Sequence, residues 1–286
     1  MKLGMSSYSL YQAISKGEMD IFDVLEWVKD IGGEHVELVP MGFDFVESPE
    51  LIEQVKEKAS QLQIDLSNYA IGANFICESE EAFEKEIVRV KQHVDVCAQL
   101  GITYMRHDIA SREADERTLE HFLKDLPKLV EACQRIADYA SDKGIVTSIE
   151  NHGYYVQASD RVQTIVRQVN RDNFRTTLDV GNFLCYDENP LTAVKNNLPY
   201  ASVVHLKDFY YRQDNVTRFG GWFTTHFGNQ LRGAIVGNGD LPMTDIIELI
   251  RNSGFDGYIS IEFEGLEECR FGAKASFDFA KSILFR

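Results

Sequence analysis

Four residues of the metal-ligand type close apolar, strand-like runs in the second half of the chain. Glu150 ends IVTSIE, Asp179 ends RTTLD, His205 follows SVV and Glu262 ends GYISIE. Each run carries the apolar or small residues of a buried strand. If the strands are neighbours, three carboxylates and one imidazole can converge on one point. Such an oxygen-rich set suits Mn2+, Mg2+ or Co2+, with Zn2+ also compatible. A lone strand-end Asp or Glu is an ordinary polar terminus. Buried carboxylates brought together without a cation repel one another, so convergence itself argues for one shared divalent metal ion.

The elements that must position these groups follow from the hydropathy pattern. Strand-like runs lie near Lys2–Leu10, His35–Met41, Leu66–Phe75, Thr103–Ile109, Ile145–His152, Phe174–Asn182, Ala201–Phe209 and Tyr258–Gly265. Amphipathic stretches alternate with them. In Met19–Ile31, Ile21, Val24, Leu25 and Val28 share one helical face before Gly32-Gly33. Leu119–Lys143 and Phe271–Phe285 read as helices. Pro190 and Pro242 read as first-turn prolines preceded by the capping groups Asn189 and Asp240. Strict alternation demands a parallel sheet with right-handed crossovers. Eight units over 286 residues suit a single α/β domain, a (β/α)8 TIM barrel over residues 1–286, with a long loop 210–241 after strand seven. An open doubly wound sheet is the alternative, but no Gly-rich dinucleotide fingerprint follows the first strand.

Composition limits the partners. The 29 Lys and Arg against 45 Asp and Glu leave a net charge of −16, and no basic run is present. That opposes nucleic acid as a partner. Five scattered cysteines form neither a disulfide framework nor a CxxC site and fit a reducing cytoplasm. No apolar run approaches a membrane span, and the N-terminus is too polar for a signal peptide.

The motifs IEN, LDVGN, VHLKD and SIEFEG resemble the xylose isomerase-like TIM barrel superfamily, most closely its sugar phosphate isomerase/epimerase group. That group includes ketose 3-epimerases, inosose isomerases and dehydratases, and endonuclease IV repair enzymes. The resemblance implies that Glu150, Asp179, His205 and Glu262 ligate one divalent metal ion. It also implies proton transfer on a small sugar or sugar derivative through a metal-stabilised enediolate, with Glu150 and Glu262 as the catalytic acid/base pair. Loss of a β-hydroxyl from the same intermediate would make the protein a dehydratase or lyase. An endonuclease would need a multinuclear cluster and more histidines than the seven present. A non-catalytic sugar-binding barrel would not need the complete ligand set. Homo-oligomers are common among relatives.

Several other residues could touch a substrate. They are His107 at the end of strand four, His152 and Lys207 at strand-period spacing from Glu150 and His205, and Asn182 where many relatives carry His. Ketose 3-epimerases orient the strand-five ligand with a Glu six residues on; here that position is Val156. The loop 210–241 carries Arg212, Arg218, Trp222, His226 and Arg232, of which Trp222 and Arg232 could stack on and hold a sugar. Arg106 reads as pairing with an outside acid, Lys207 alternatively with Asp208, and Glu37 as a structural acid. The turn Val236–Pro242 could offer backbone amides to an anion.

Overall fold

The computed structural model describes residues 1–214, 216 and 218–286. Eight parallel strands close into a barrel: β1 (Lys2–Ser6), β2 (His35–Leu38), β3 (Asp65–Ile71), β4 (Tyr104–His107), β5 (Val146–Glu150), β6 (Phe174–Asp179), β7 (Ala201–Leu206) and β11 (Tyr258–Ile261). The ring closes where β1 pairs with β11. A helix follows each barrel strand and packs outside it. Val24, Leu25 and Val28 of the Ile21–Asp30 helix are fully buried there. That helix starts at Ile21 because the Asp20 carboxylate accepts from the Phe22 and Asp23 amides. Among the described residues, no helix is long and apolar enough to cross a membrane.

Each expected strand is present but stops short of its apolar run. The chain leaves the ladder at the barrel mouth, where Ser7, Asn151, Lys207 and Glu262 stay buried just beyond the strand ends. The larger difference lies after β7. The stretch read as a long loop folds into an antiparallel sheet of β8 (Asp208–Arg212), β9 (Phe223–Thr224) and β10 (Gln230–Ala234). Asn215 and Thr217 of that stretch lie outside the described residues. Asn189 caps the Pro190–Asn197 helix as expected. Asp240 does not cap Met243–Asn252, because its carboxylate instead accepts from the Tyr211 amide and Arg212.

Two register shifts align the barrel interior. Between β6 and β7, Thr176 pairs with Ala201 but Thr177 pairs with Val203, so Ser202 is the extra residue. Without it Asp179 would stand level with Val204; with it Asp179 stands level with His205. A one-residue slip exchanges inward and outward side chains, so this bulge decides whether the two can meet. Between β2 and β3 a second shift skips Ser67 and sets Glu37 opposite Asn68.

The Val236–Pro242 turn does hold an anion, and the anion is the protein's own. Asp208 Oδ2 accepts from the Gly237 amide at 2.9 Å and the Gly239 amide at 3.0 Å, and Oδ1 accepts from Leu241 at 3.3 Å. Asp208 therefore ties the β8–β10 extension to the barrel and is turned away from Lys207. Asp208→Ala strands these amides in a half-buried turn. The expected cost is roughly 3 kcal/mol of unfolding free energy in urea denaturation, with Asp208→Asn losing less. A loss below about 0.5 kcal/mol would show that the turn does not depend on this carboxylate.

Candidate metal centre

Glu150, Asp179, His205 and Glu262 converge at the C-terminal mouth of the barrel. Each is buried, and one ligand atom from each lies within 4.8 Å of the others. The buried atoms Glu150 Oε2, Asp179 Oδ2, His205 Nδ1 and Glu262 Oε2 all lack a hydrogen-bond partner among the described residues. Three of them are instead ion-paired, Glu150 Oε2 with Arg106 and Glu262 Oε2 and Asp179 Oδ2 with Lys207, and three carboxylates with one imidazole this close together are a donor set that fits a divalent cation.

The remaining atoms of these side chains are held by neighbours. Asp179 Oδ1 accepts from the Gly181 amide at 2.7 Å and the Asn182 amide at 2.8 Å, which leaves Oδ2 facing inward. Asn151 clamps the Asp179 backbone from both sides, at 2.8 and 3.0 Å. Position 181 must be glycine, since a Cβ would lie 2.7 Å from the Lys207 carbonyl oxygen. Asn182 Nδ2 donates to Glu150 Oε1 at 3.0 Å. His205 Nε2 lies 2.7 Å from Glu37 Oε2, which also accepts from Asn68 Nδ2 at 2.8 Å. With Nε2–H donated to Glu37, the imidazole presents Nδ1 to the cluster.

Two fixed cations moderate the like charges. Arg106 lies 2.6 Å from Glu150 Oε2 and 3.1 Å from Asp108. Lys207 Nζ lies 2.6 Å from Glu262, 3.2 Å from Asp179 and 3.3 Å from Glu264. Burial alone would raise the Glu262 pKa, but Lys207 and His205 outweigh it and hold the carboxyl well below its ordinary value. Glu150 is likewise held low against burial, chiefly by Arg106. Asp179 goes the other way. Burial, with Glu262 and Glu150 nearby, outweighs Lys207 and pushes it up to about 7.

Comparison with known proteins bears on this arrangement. The family model described as xylose isomerase-like TIM barrel matches residues 25–283. The chain belongs to that family. An inosose dehydratase of Lacticaseibacillus casei is 25% identical over 152 residues, 50% of this chain. The match spans about half the length of that curated relative, 49% of it. Among solved structures, the probable 3-DHS dehydratase of Bacillus anthracis superposes with a TM-score of 0.76 at 15% identity, over 97% of this chain and 98% of its own. D-psicose 3-epimerase gives 0.75 at 17% identity over 99% of each chain. The IolI protein, solved with a bound zinc atom, gives 0.72 at 20% identity over 99% of this chain and 96% of its own. These superpositions show the shared barrel.

Within this xylose isomerase-like barrel the other sequence-read residues separate into three groups. Asn182 and Lys207 are at the cluster. His152 stands at its edge, where it lines a cavity of about 160 Å3 together with Glu150, Asp108 and Val156. His107, Trp222 and Arg232 are not brought to it. His107 is buried against Phe75 and Phe174, with Nδ1 on the Asp108 carbonyl. Arg106, its neighbour in β4, takes the inward place instead. Arg232 stacks over Tyr210, its register partner, and over Trp222, 4.7 and 5.3 Å from the ring centres. Arg212 and Arg218 also stack on Trp222. Strand alternation puts this group on the face of β8–β10 opposite Gly233, which abuts the Glu264 backbone.

Sequence reading missed Arg106, Glu264 and the role of Glu37. Glu264 carried a signal, standing two residues after Glu262, one strand period on. For Arg106 the signal was ambiguous, since YMRH puts a polar side chain in both phases.

Two predictions follow from this geometry. Glu37→Gln keeps the shape but weakens the acceptor for His205 Nε2–H; titration calorimetry with Mn2+ should show affinity about 10- to 100-fold lower. Unchanged affinity would remove Glu37 from this role. The second concerns pH. Asp179 holds its proton up to about 7 when folded, against an ordinary value of about 3.9. The folded chain therefore binds the extra proton between those values, and the metal-free protein loses stability as pH rises through that window. Metal binding must displace the proton, so Mn2+ affinity should climb from about pH 6 to about pH 8 with proton release seen across buffers of different ionisation enthalpy. A flat profile would contradict the assignment of Asp179 as a ligand.

Proposed function

We propose that this protein is a divalent-metal-dependent isomerase or epimerase of a small sugar or sugar derivative. The observation that carries the reading is one buried cluster that contains two carboxylates from separate strands, Glu150 and Glu262, each beside a fixed cation. Glu150 borders the cavity with Asp108 and His152. Glu264, 3.3 Å from Lys207, lines a second cavity of about 320 Å3, which Glu262 itself does not line. Mn2+, Mg2+ or Co2+ suits the three carboxylates and one imidazole, and Zn2+ is compatible. When bound, such an ion supplies Lewis acidity to a substrate carbonyl and makes the adjoining C–H acidic.

The chain's own groups then move the proton. In this reading Glu150, ionised beside Arg106, removes it from one face of the substrate. Glu262 exchanges one on the other face, with Lys207 beside it to resupply the proton. Asn182 fixes the Glu150 carboxylate through Oε1. This replaces the orienting role a second glutamate would play at Val156. Among the described residues one group of metal-ligand side chains, these four, lies close enough together to share an ion, which favours a single metal over a multinuclear nuclease centre.

A dehydratase is the second reading, and Lys207 favours it. Burial would lower the pKa of this ammonium, but Asp179, Glu262 and Glu264 outweigh burial and raise it well above the ordinary lysine value. A protonated Lys207 at the cluster could deliver a proton to a departing β-hydroxyl, releasing water as the C–H electron pair forms the new double bond. The products separate the two readings. In D2O an isomerase or epimerase incorporates solvent deuterium and otherwise conserves the substrate's composition; a dehydratase loses water. Glu150→Gln and Glu262→Gln should each lower turnover by about 100- to 10,000-fold. Full turnover in both variants would end the acid/base assignment.

A further inference from the structure

The end of the barrel away from the metal centre carries a cavity of a different character. It lies at the amino ends of β6 and β7, beside the Pro190–Asn197 and Met243–Asn252 helices, and holds about 470 Å3. Leu198, Leu249 and Phe255 supply apolar walls, and Arg175 and Lys195 supply charge. Among the described residues no Asp or Glu lines it. Four other cavities of the protein each include a carboxylate, from Asp65, Glu264, Asp108 and Asp172 in turn. In a chain of net charge −16 this cavity is a local reversal of sign.

Both cations are uncommitted. Among the described residues neither makes an ion pair, and the Arg175 side chain has one hydrogen bond, from Nη2 to the Pro199 carbonyl at 2.8 Å. That bond holds the guanidinium at the cavity and leaves Nε and Nη1 without a partner. Arginines on the neighbouring surface are already engaged. Arg171 pairs with Asp138, Arg167 donates to the Tyr200 hydroxyl and Arg251 to the Ile283 carbonyl. Ser253, on the cavity wall, donates its hydroxyl to the Ile250 carbonyl at 2.7 Å and accepts from the Phe255 amide at 3.1 Å. Arg175 also lines an adjoining cavity with Asp172 and Asp256. Asp256 is taken by the N-terminal ammonium.

We propose that this cavity binds a small organic anion with an apolar body, a carboxylate carried on an aromatic or alicyclic ring. The free part of the Arg175 fork and the Lys195 ammonium match the two oxygens of a carboxylate. The ring would cover Leu198, Leu249 and Phe255 and take their surface out of water. The volume lies within the range of small-molecule sites. Inorganic phosphate would meet the cations but leave the walls wet. A neutral ring would cover the walls but leave the cations without a counter-charge. A ring carboxylate engages both. None of the lining residues belongs to the metal-ligand cluster, so occupation of this cavity does not depend on a metal ion bound there.

The test is binding to the full chain, with and without Mn2+, by saturation-transfer NMR and calorimetry. The probes are benzoate, cyclohexanecarboxylate, benzyl alcohol and inorganic phosphate. At least one ring carboxylate should bind about tenfold or more tightly than both benzyl alcohol and phosphate, with the same affinity whether or not Mn2+ is present. Lys195 is exposed, so Lys195→Glu should leave the melting temperature unchanged and lower carboxylate affinity about tenfold or more. Arg175→Gln should lower it in the same direction, and the Lys195 variant decides the matter if that protein does not fold. Three results would each overturn the proposal. The first is a ring carboxylate bound no more tightly than benzyl alcohol or phosphate. The second is carboxylate affinity unchanged in Lys195→Glu. The third is affinity seen only with Mn2+, which would put the anion at the metal centre instead.

Discussion

Buried like charge is the constraint around which this barrel mouth is organised. Glu150, Asp179, Glu262 and Glu37 are all 5% exposed or less and crowd the same end of the lumen. A bare cluster of this kind would drive its members to protonate or the strands apart. Arg106, Lys207 and His205 divide the negative charge among them, Arg106 pairing with Glu150, Lys207 with Glu262 and Asp179, and His205 with Glu37. The electrostatics thus sort the carboxyls by neighbour. Those beside a fixed cation stay ionised, while Asp179, which lies farther from Lys207 than Glu262 does, is held near neutrality in protonation.

The scaffold serves that centre through few and specific devices. A single extra residue, Ser202, brings His205 level with Asp179, and the skip at Ser67 does the same for Glu37 and Asn68. Asn151 holds the Asp179 backbone through both ends of its amide, and Asn182 holds Asp179 through its backbone amide and Glu150 through its side chain. The β8–β10 extension is fastened at its base by Asp208, whose carboxylate takes the place an external anion might have occupied in the Val236–Pro242 turn. Its inner face then walls the cavity beside Glu264, through Gly221, Phe223 and Gly233.

How much of this was legible depends on the period of each signal. Strand and helix alternation is local, so all eight barrel strands can be read from hydropathy, and the ligand-type residues at the ends of four of them from side-chain type. Strand phase is less secure where polar residues occupy consecutive positions. In YMRH, Arg106 and His107 are both plausible inward groups, and only the neighbouring Glu150 and the aromatic pair Phe75 and Phe174 decide between them. The segment after β7 offered Trp222 and Arg232 as sugar contacts by composition. Antiparallel pairing puts them on one face together, where they stack on each other.

The sequence by itself determined the parallel barrel, the four ligand-type residues and the chemistry that such residues share, because these follow from local periodicity and side-chain type. Tertiary structure decided which atoms face the centre and which partners tune them. Glu37 is 168 positions from His205 along the chain, and Arg106 and Lys207 are read correctly only once their carboxylate neighbours are known. Register, bulges and charge pairing are properties of strands meeting one another, and no single strand's sequence contains them.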